Sequence, residues 1–324
     1  MKLLKLNDST ERPLPFYLAM EEHAASIVGD DDLFFLWQVS PTVIFGRNQV
    51  IDNEVDLDYC RSHGIAVYRR KSGGGCVYAD RSNIMFSYIT RADNVTTTFS
   101  RYTAMIVDML RSLGLNASDS SRNDILIDGL KVSGNAFYHL PGRSIVHGTM
   151  LYDTDLTHLT RAITPGHSKL AAKGVKSVAS RVTTLNRYLT MSIDEFKRYA
   201  ISYLTDGSIT LTQADLEAIS AIVPSYLRHE FIYGHRSPGT FVRSKRFDGV
   251  GEIEAQLEIA GGIIRDINLT GDFFVIGDLD ALILNRLHGV TFTRPDVAHA
   301  LTDAQPDNAI MNLSLDILLD LLFN

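Results

Sequence analysis

Asp128-Gly129 separates two runs of alternating character in the stretch NDILIDGLKVSGNAF, Asn123 to Phe137. This dipeptide between alternating runs is a strong signal for a two-residue type I′ hairpin, because both central residues must take positive φ. The turn pairs Ile127 with Leu130, Leu126 with Lys131 and Ile125 with Val132. Side chains alternate across a strand, so Ile125, Ile127, Leu130 and Val132 share one apolar face that has to be buried. The other face carries Asp124, Leu126, Lys131 and Ser133, with Asp124 and Lys131 as diagonal neighbours roughly 7–8 Å apart at Cα. A carboxylate and an ammonium thus share one face, either to hold a ligand or merely to meet water. An antiparallel sheet must be built around this hairpin.

The flanking sequence supplies its partners. Helical periodicity runs from Pro13 to Gly29 and from Phe99 to Leu115, and again at about Ser192 to Thr205 and Gln213 to His229. Strand-like runs cover Leu33 to Val39 and Thr42 to Gly46, joined at Ser40-Pro41, then IAVYRR, NIMFSYIT and short segments up to Tyr152. VDLDYCRSHG predicts a helix closed by Gly64. Tyr233 to Lys245 reads as a linker rich in glycine, proline, serine and cations. Beyond it, GEIEAQLEIA and GIIRDINLT form a second hairpin across Gly261-Gly262, followed by helical stretches. Strands first and helices after predict a small α+β unit.

Composition excludes several functions. A 45% hydrophobic content supports a sizeable core, and a net charge of −7 argues against a broad grip on nucleic acid. Any anionic ligand must therefore meet local cations. Cys60 and Cys76 form neither a disulfide framework nor a zinc pattern. MKLLKLNDSTER turns polar before a signal-peptide core develops, and the apolar LDILLDLLF near the end is short and carries aspartates. The expectation is a soluble, cytoplasmic protein with no membrane contact.

Local cations do occur. RRKSGGGCVYAD, Arg69 to Asp80, sets Arg69, Arg70 and Lys71 before three glycines. Without Cβ atoms, backbone N–H groups can close around an anion as a nest. The same residues also suit a plain surface turn, and neither common nucleotide loop, G-x-G-x-x-G or G-x-x-x-x-G-K-[ST], is present. In VHGTMLY, His147 and Thr149 project to one side of a strand with Gly148 between them. Lys169, Lys173, Lys176 and Arg181 punctuate a small-residue segment, Ser168 to Val182, expected to order over a bound phosphate.

Taken in order, RRKSGGGCVYAD, SRND with KVSGNAF, VHGTMLYDTDLTHL and KLAAKGVKSVASRVTTL resemble the motifs of the lipoate–protein ligase family. LFFLW around Trp37 is also similar to the family, and GEIEAQLEIAGGIIRDINLTGDFF resembles the accessory domain of its bacterial two-domain members. The resemblance spans nearly the whole chain. It implies an α+β fold with mainly antiparallel sheet, shared with biotin ligases and related to class II synthetase cores. Residues 1–240 would form the catalytic domain and 241–324 a small α+β accessory domain.

The implied activity has two steps. Lipoate attacks the α-phosphate of ATP, releasing pyrophosphate and leaving lipoyl-AMP. The amine of a lysine on a lipoyl domain of a 2-oxoacid dehydrogenase acyltransferase, or on the glycine-cleavage H protein, then takes the acyl group. Lys131 is the implied catalytic residue, a compact charge able to meet both carboxylate and phosphate. ATP would be held by Arg70, Gly75, Cys76, Val77, Tyr78, Asn83, Lys131, Lys173 and Ser180. Lipoate would meet Trp37, Ser72, Gly73, Gly74, Lys131, Ser133, Gly134, His147, Gly148 and Thr149. Asp124 is the candidate ligand for Mg²⁺, which favours carboxylate plus substrate phosphate oxygens. ATP, Mg²⁺ and lipoate are thus substrates, with no tightly bound prosthetic group and no nucleic-acid partner. Two departures bear on pocket lining and acyl preference: Ala79 where the family often has histidine, and Tyr138-His139 where a basic residue often follows. The rival reading is an ATP-independent octanoyl or lipoyl transferase with Cys76 as nucleophile.

Overall fold

The computed structural model describes residues 1–91, 94–120, 123–163, 181–234 and 241–324. The chain divides into two compact units. The first comprises Met1–Phe45, Asp52–Arg70 and Cys76–Ile232, and the second Gly46–Ile51, Lys71–Gly75 and Tyr233–Asn324.

Eleven strands are described in the first unit: β1 (Lys2–Lys5), β2 (Leu33–Trp37), β3 (Thr42–Phe45), β4 (Ala66–Arg69), β5 (Val77–Ala79), β6 (Asn83–Thr90), β7 (Ala117–Asp119), β8 (Asp124–Ile127), β9 (Leu130–Leu140), β10 (Arg143–Leu151) and β11 (Ser208–Thr210). Eight of them form one sheet in the order β11-β1-β2-β6-β10-β9-β8-β7. It is antiparallel from β2 through β7, and parallel only where β1 meets β2 and β11. β4, β3 and β5 make a separate small sheet, so the two runs joined at Ser40-Pro41 belong to different sheets. The Asp128-Gly129 turn is as the sequence requires, with φ of 51° and 79°.

Two helices sandwich the large sheet. Helix α1 (Leu14–Ile27) starts behind Pro13 and ends where Val28 N–H bonds to Ala24 O. It is apolar on nearly all sides, so it is buried all round and packs on β6 and β10 beside Gln213–Leu227. The opposite face is covered by the helix Val95–Ser112, an amphipathic segment that sets Phe99 edge-on to Phe137 and Tyr102 against Tyr88.

The second unit contains the antiparallel meander Phe241–Phe247, Gly251–Ala260 and Ile263–Gly271. Its middle strand alternates buried Ile253, Ala255 and Leu257 with more exposed Glu252, Glu254 and Gln256. The buried face packs on helices including Arg294–Ala300 and Leu315–Phe323. Part of the expected linker is thus ordered strand, because Phe241–Lys245 pairs residue by residue with Leu257–Ile253. No helix among the described residues is long and apolar enough to cross a membrane.

Candidate active site

Strand register places the site. Trp37 on β2 faces Met85 on β6, Met85 faces Thr149 on β10, Thr149 faces Gly134 on β9, and Gly134 faces Asp124 on β8. Residues directly opposite share a sheet face, so these five form one row across five strands on the α1 side. The row is closed at one end and open at the other. Trp37 and Met85 are each 4% exposed and Thr149 6%, whereas Gly134 and Asp124 are half-buried.

Lys131 stands at the open end, put there by an irregularity that alternation hides. The expected pairing holds for Ile127 with Leu130 and Leu126 with Lys131, but Ile125 then faces Ser133 instead of Val132. Val132 is the extra residue of a β-bulge, a device that bends a strand and re-aims a side chain. Asp124 consequently lies opposite Gly134, not diagonal to Lys131 in a regular ladder. A Cβ on Gly134 would fall 2.8 Å from Lys131 Nζ, so the missing side chain is what lets the ammonium fold back across the row. Nζ then sits 2.7 Å from Asp124 Oδ1, close enough for an ion pair although not aligned as a hydrogen bond. Arg181 O accepts from Lys131 N–H and Lys131 O accepts from Thr183 N–H, both at 2.8 Å, which fixes the lysine's backbone.

Not every expected contact shares this face. Ser133 and Gly148 lie on the opposite side, towards Val95–Ser112. A Cβ on Gly148 would come within 1.9 Å of Asn135 Oδ1 and 3.1 Å of Tyr102 Oη, so Gly148 makes room for a side chain of the protein. Ser133 Oγ donates to that Asn135 oxygen, and Asn135 and Asn123 each donate a side-chain amide to the other's carbonyl at 2.9 Å. These residues staple β8 to β9 behind Lys131.

His147 does face α1, and its partner was missed from sequence. Glu21 is 0% exposed; its carboxylate accepts from Ser87 Oγ at 2.6 Å and lies 2.9 Å from His147 Nδ1. Ser87 Oγ in turn accepts from Trp37 Nε1 at 2.8 Å. Trp37 is therefore tied to His147 through Ser87 and Glu21, and stacks on Tyr17 at 4.9 Å. A signal existed: Glu21 falls on the stripe Leu14, Tyr17, Leu18, Ala24, Ala25, an improbable place for an unpartnered carboxylate. Ala79 is fully buried in the same cluster as Trp37 and Met85. Tyr138, the other departure, is packed against that cluster. A cleft of about 630 Å³ also reaches Tyr17, Met20, Phe35 and Trp37, between Arg81 and Lys197.

The arginines before the glycines are not solvated charges. Arg69 is 1% exposed, donates Nε and Nη2 to Ile232 O, and lies 4.4 Å over the Phe45 ring. Arg70 donates Nη1 to Ile44 O at 3.0 Å. Burial lowers both guanidinium pKa values to about 10, so both stay charged near neutrality. Val77 and Tyr78 lie on β5. Asn83 holds the turn after β5, donating Nδ2 to Tyr78 O and accepting from Thr154 Oγ1. Burial first, and then the Glu54 carboxylate, push the Cys76 thiol far above its ordinary range.

Ser72 to Gly75 belong to the second unit. Ser72 O accepts from Arg47 N–H, and a Cβ on Gly73 would fall 2.5 Å from Phe273 O. Gly74 takes φ of 84° and donates its N–H to Phe273 O at 3.2 Å. At least one amide expected to face an anion is thus bonded to a carbonyl. Lys169, Lys173, Lys176 and Ser180 fall outside the described residues.

Among the described residues no group of three or more histidines, cysteines or acids is arranged to hold a metal. Asp124 alone fits Mg²⁺ in the manner of sites that rely on substrate oxygens for the remaining ligands. Among the described residues its buried Oδ1 has Lys131 as a cationic neighbour and no aligned donor.

Residues 14–205 match the profile of the lipoyl protein ligase A/B catalytic domain, and residues 239–322 that of the bacterial lipoate protein ligase C-terminus. Lipoate-protein ligase LplJ of Bacillus subtilis (strain 168) is 34% identical over 318 residues, covering 94% of this chain and 96% of the relative. A bipartite archaeal lipoate protein ligase from Thermoplasma acidophilum, studied with its E2 lipoyl domain, superposes with a TM-score of 0.66 at 29% identity, covering 74% of this chain and 98% of that one. A lipoate-protein ligase A bound with ATP gives 0.61 at 26% identity, covering 72% and 99%.

Proposed function

We propose, from the premise that this chain belongs to the lipoate–protein ligase family, that it activates lipoate with ATP and transfers the lipoyl group to a lysine of an acceptor protein. The observation that carries this is the row from Trp37 to Asp124, apolar and closed at one end and cationic at the other. A carboxylate with an apolar tail matches that polarity. Residues 1–240 would perform the chemistry, with 241–324 as accessory domain.

In the first step a lipoate oxygen attacks the α-phosphorus, and the bond to the bridging oxygen breaks to release pyrophosphate. Two anions must come together, so Lys131 offsets their repulsion and the charge that builds on phosphorus. Asp124 orients the lysine and would supply one carboxylate ligand to Mg²⁺, whose contribution is to neutralise phosphate charge. Arg70, Asn83 and the backbone from Gly75 to Tyr78, with Lys173 and Ser180, would hold the nucleotide. Trp37, Thr149, Gly134 and His147 would line the acyl tail, Ser133 and Gly148 would support its floor from behind, and the resemblance adds Ser72, Gly73 and Gly74 as lipoate contacts. In the second step the neutral acceptor amine attacks the acyl carbon and AMP leaves. Lipoyl domains and the glycine-cleavage H protein are the proposed acceptors, and the cytoplasm the proposed location.

A cysteine-nucleophile transferase needs a thiolate, and desolvation of the half-buried Cys76 thiol disfavours that form. The deciding experiment is lipoate-dependent ATP–pyrophosphate exchange, followed by intact mass of an added lipoyl domain. Exchange together with an ATP-dependent lipoyl mass increment is the expected result. An ATP-independent increment with a thioester on Cys76 would overturn it.

A further inference from the structure

We propose that Asn123 and Asn135 are positioning residues: together they hold the β-bulge at Val132, and that bulge is what turns Lys131 onto the substrate face. The proposal rests on the ligase reading and says how its lysine is aimed.

Strand parity requires the bulge. Side chains alternate along a regular strand, so Lys131 would share a face with Ser133 and Asn135, away from Gly134 and Thr149. Lys131 instead lies opposite Leu126, while Gly134 lies opposite Asp124, two residues before Leu126 on β8. Leu126 and Asp124 share a face, and so therefore do Lys131 and Gly134. Two residues three apart on β9 reach one face only if an extra residue intervenes, and that residue is Val132.

The asparagines fix where the extra residue falls. Had the pairing of Ile127 with Leu130 and Leu126 with Lys131 continued unbroken, Asn123 would meet Gly134, which has no side chain to offer. In the bulged register it meets Asn135. Asn135 N–H and Nδ2 both donate to Asn123 O, at 3.0 and 2.9 Å, and Asn123 Nδ2 donates to Asn135 O at 2.9 Å. Residues of a hydrogen-bonded antiparallel pair exchange backbone bonds, and here a side-chain amide supplies the return bond. Regular pairing would break all three contacts. Asn135 is 2% exposed, so its amide would be left without water to replace them.

The test compares full-length wild type, Asn123→Ala and Asn135→Ala, each with and without Lys131→Ala. An NMR cross-peak between Lys131 Hε and Gly134 Hα, in protein with isotope-labelled lysine and glycine, reads the aim of the side chain. Lys131 Cε lies 2.9 Å from the point where a Gly134 Cβ would be, so wild type should show it. ATP–pyrophosphate exchange reads catalysis. Both substitutions should abolish the cross-peak and lower kcat roughly tenfold, the scale of one net hydrogen bond, with KM for lipoate little changed. With Lys131 already replaced, neither should lower kcat further, because residues that act through one another are not additive. A cross-peak that persists in the folded variants overturns the proposal, as does an unchanged kcat or an equal loss with Lys131 absent. Asn123 is half-buried, so Asn123→Ala decides the outcome if Asn135→Ala does not fold. If the cross-peak is lost but wild type supports no exchange, the ligase reading fails while the asparagine pair keeps its place in the fold. If wild type exchanges and the cross-peak persists, the asparagine pair fails alone.

Discussion

Two carboxylate contacts lie on the same sheet face, one to an imidazole and one to an ammonium, and they differ in exposure and in alignment. Glu21 and His147 meet at 2.9 Å with side-chain exposures of 0% and 7%, and Glu21 also accepts from Ser87. Lys131 and Asp124 meet at 2.7 Å with exposures of 34% and 29%, poorly aligned as a hydrogen bond. The first is enclosed beneath α1 and its polar groups are satisfied by protein. The second is reached by solvent and can release its lysine to an incoming anion. Burial turns such a contact into scaffold, while partial exposure leaves it available for chemistry.

Removing one member of each contact tests that distinction. Glu21→Ala removes a buried partner from both Ser87 Oγ and His147 Nδ1 and should cost about 2–4 kcal/mol of unfolding free energy, at about 1–3 kcal/mol for each such group. Urea denaturation measures this, and a loss below about 1 kcal/mol would end the view of this contact as scaffold. Lys131→Ala should do the reverse. Stability should shift by no more than about 1 kcal/mol, while kcat for pyrophosphate exchange falls on the order of 10²–10³-fold. Normal exchange by the folded variant would remove Lys131 from the mechanism.

The two contacts also differ in how far sequence revealed them. Asp128-Gly129 fixed the hairpin and its alternation identified Ile125, Ile127, Leu130 and Val132 as core; all but Leu130, which is half-buried beside the turn, are fully buried. Lys131 and Asp124 were placed near one another, but through a regular ladder. Alternation cannot report a bulge when the extra residue, Val132, is as apolar as the core demands. Glu21 escaped because its partners, Ser87 and His147, lie 66 and 126 residues away along the chain. Gly148 and Ser133 are lipoate contacts by the family resemblance, and the register puts their side-chain positions towards Val95–Ser112, where they meet Asn135.

Two glycines sharpen the comparison at smaller amplitude. Gly148→Ala must displace Asn135, whose amide staples β8 to β9, and should cost about 1–3 kcal/mol by overpacking. At Gly134 the obstructing atom is the end of the flexible Lys131 side chain, which can move aside. Gly134→Ala should therefore leave the urea midpoint nearly unchanged yet reduce kcat about tenfold, equivalent to ~1.4 kcal/mol, by pushing the ammonium off the row. Equal effects of the two substitutions on stability would mean that the two sheet faces are not divided into scaffold and site.

A third contact, between the His23 imidazole and the Asp215 carboxylate, falls between the first two in exposure, at 9% and 22%, and should give the smallest effect. Asp215 also sits three residues into the helix Gln213–Leu227, where it bonds the Thr212 hydroxyl and backbone N–H in a capping box. Those bonds, Thr212 Oγ1 first and His23 after the Thr212 N–H, lower its pKa from 3.8 to about 2. A depressed carboxylate pKa stabilises the fold above the unfolded value, and this contribution is lost as pH falls from about 4 through 2. Asp215→Asn should cost about 0.5–1 kcal/mol at neutral pH, in the range of an acid in a helix's first turn. Below pH 2 the variant and the wild type should converge, since the wild-type carboxylate is then neutral as well. Persistence of the gap at that pH would assign the effect to side-chain shape, and charge at a half-open contact would no longer separate it from the enclosed Glu21 and His147.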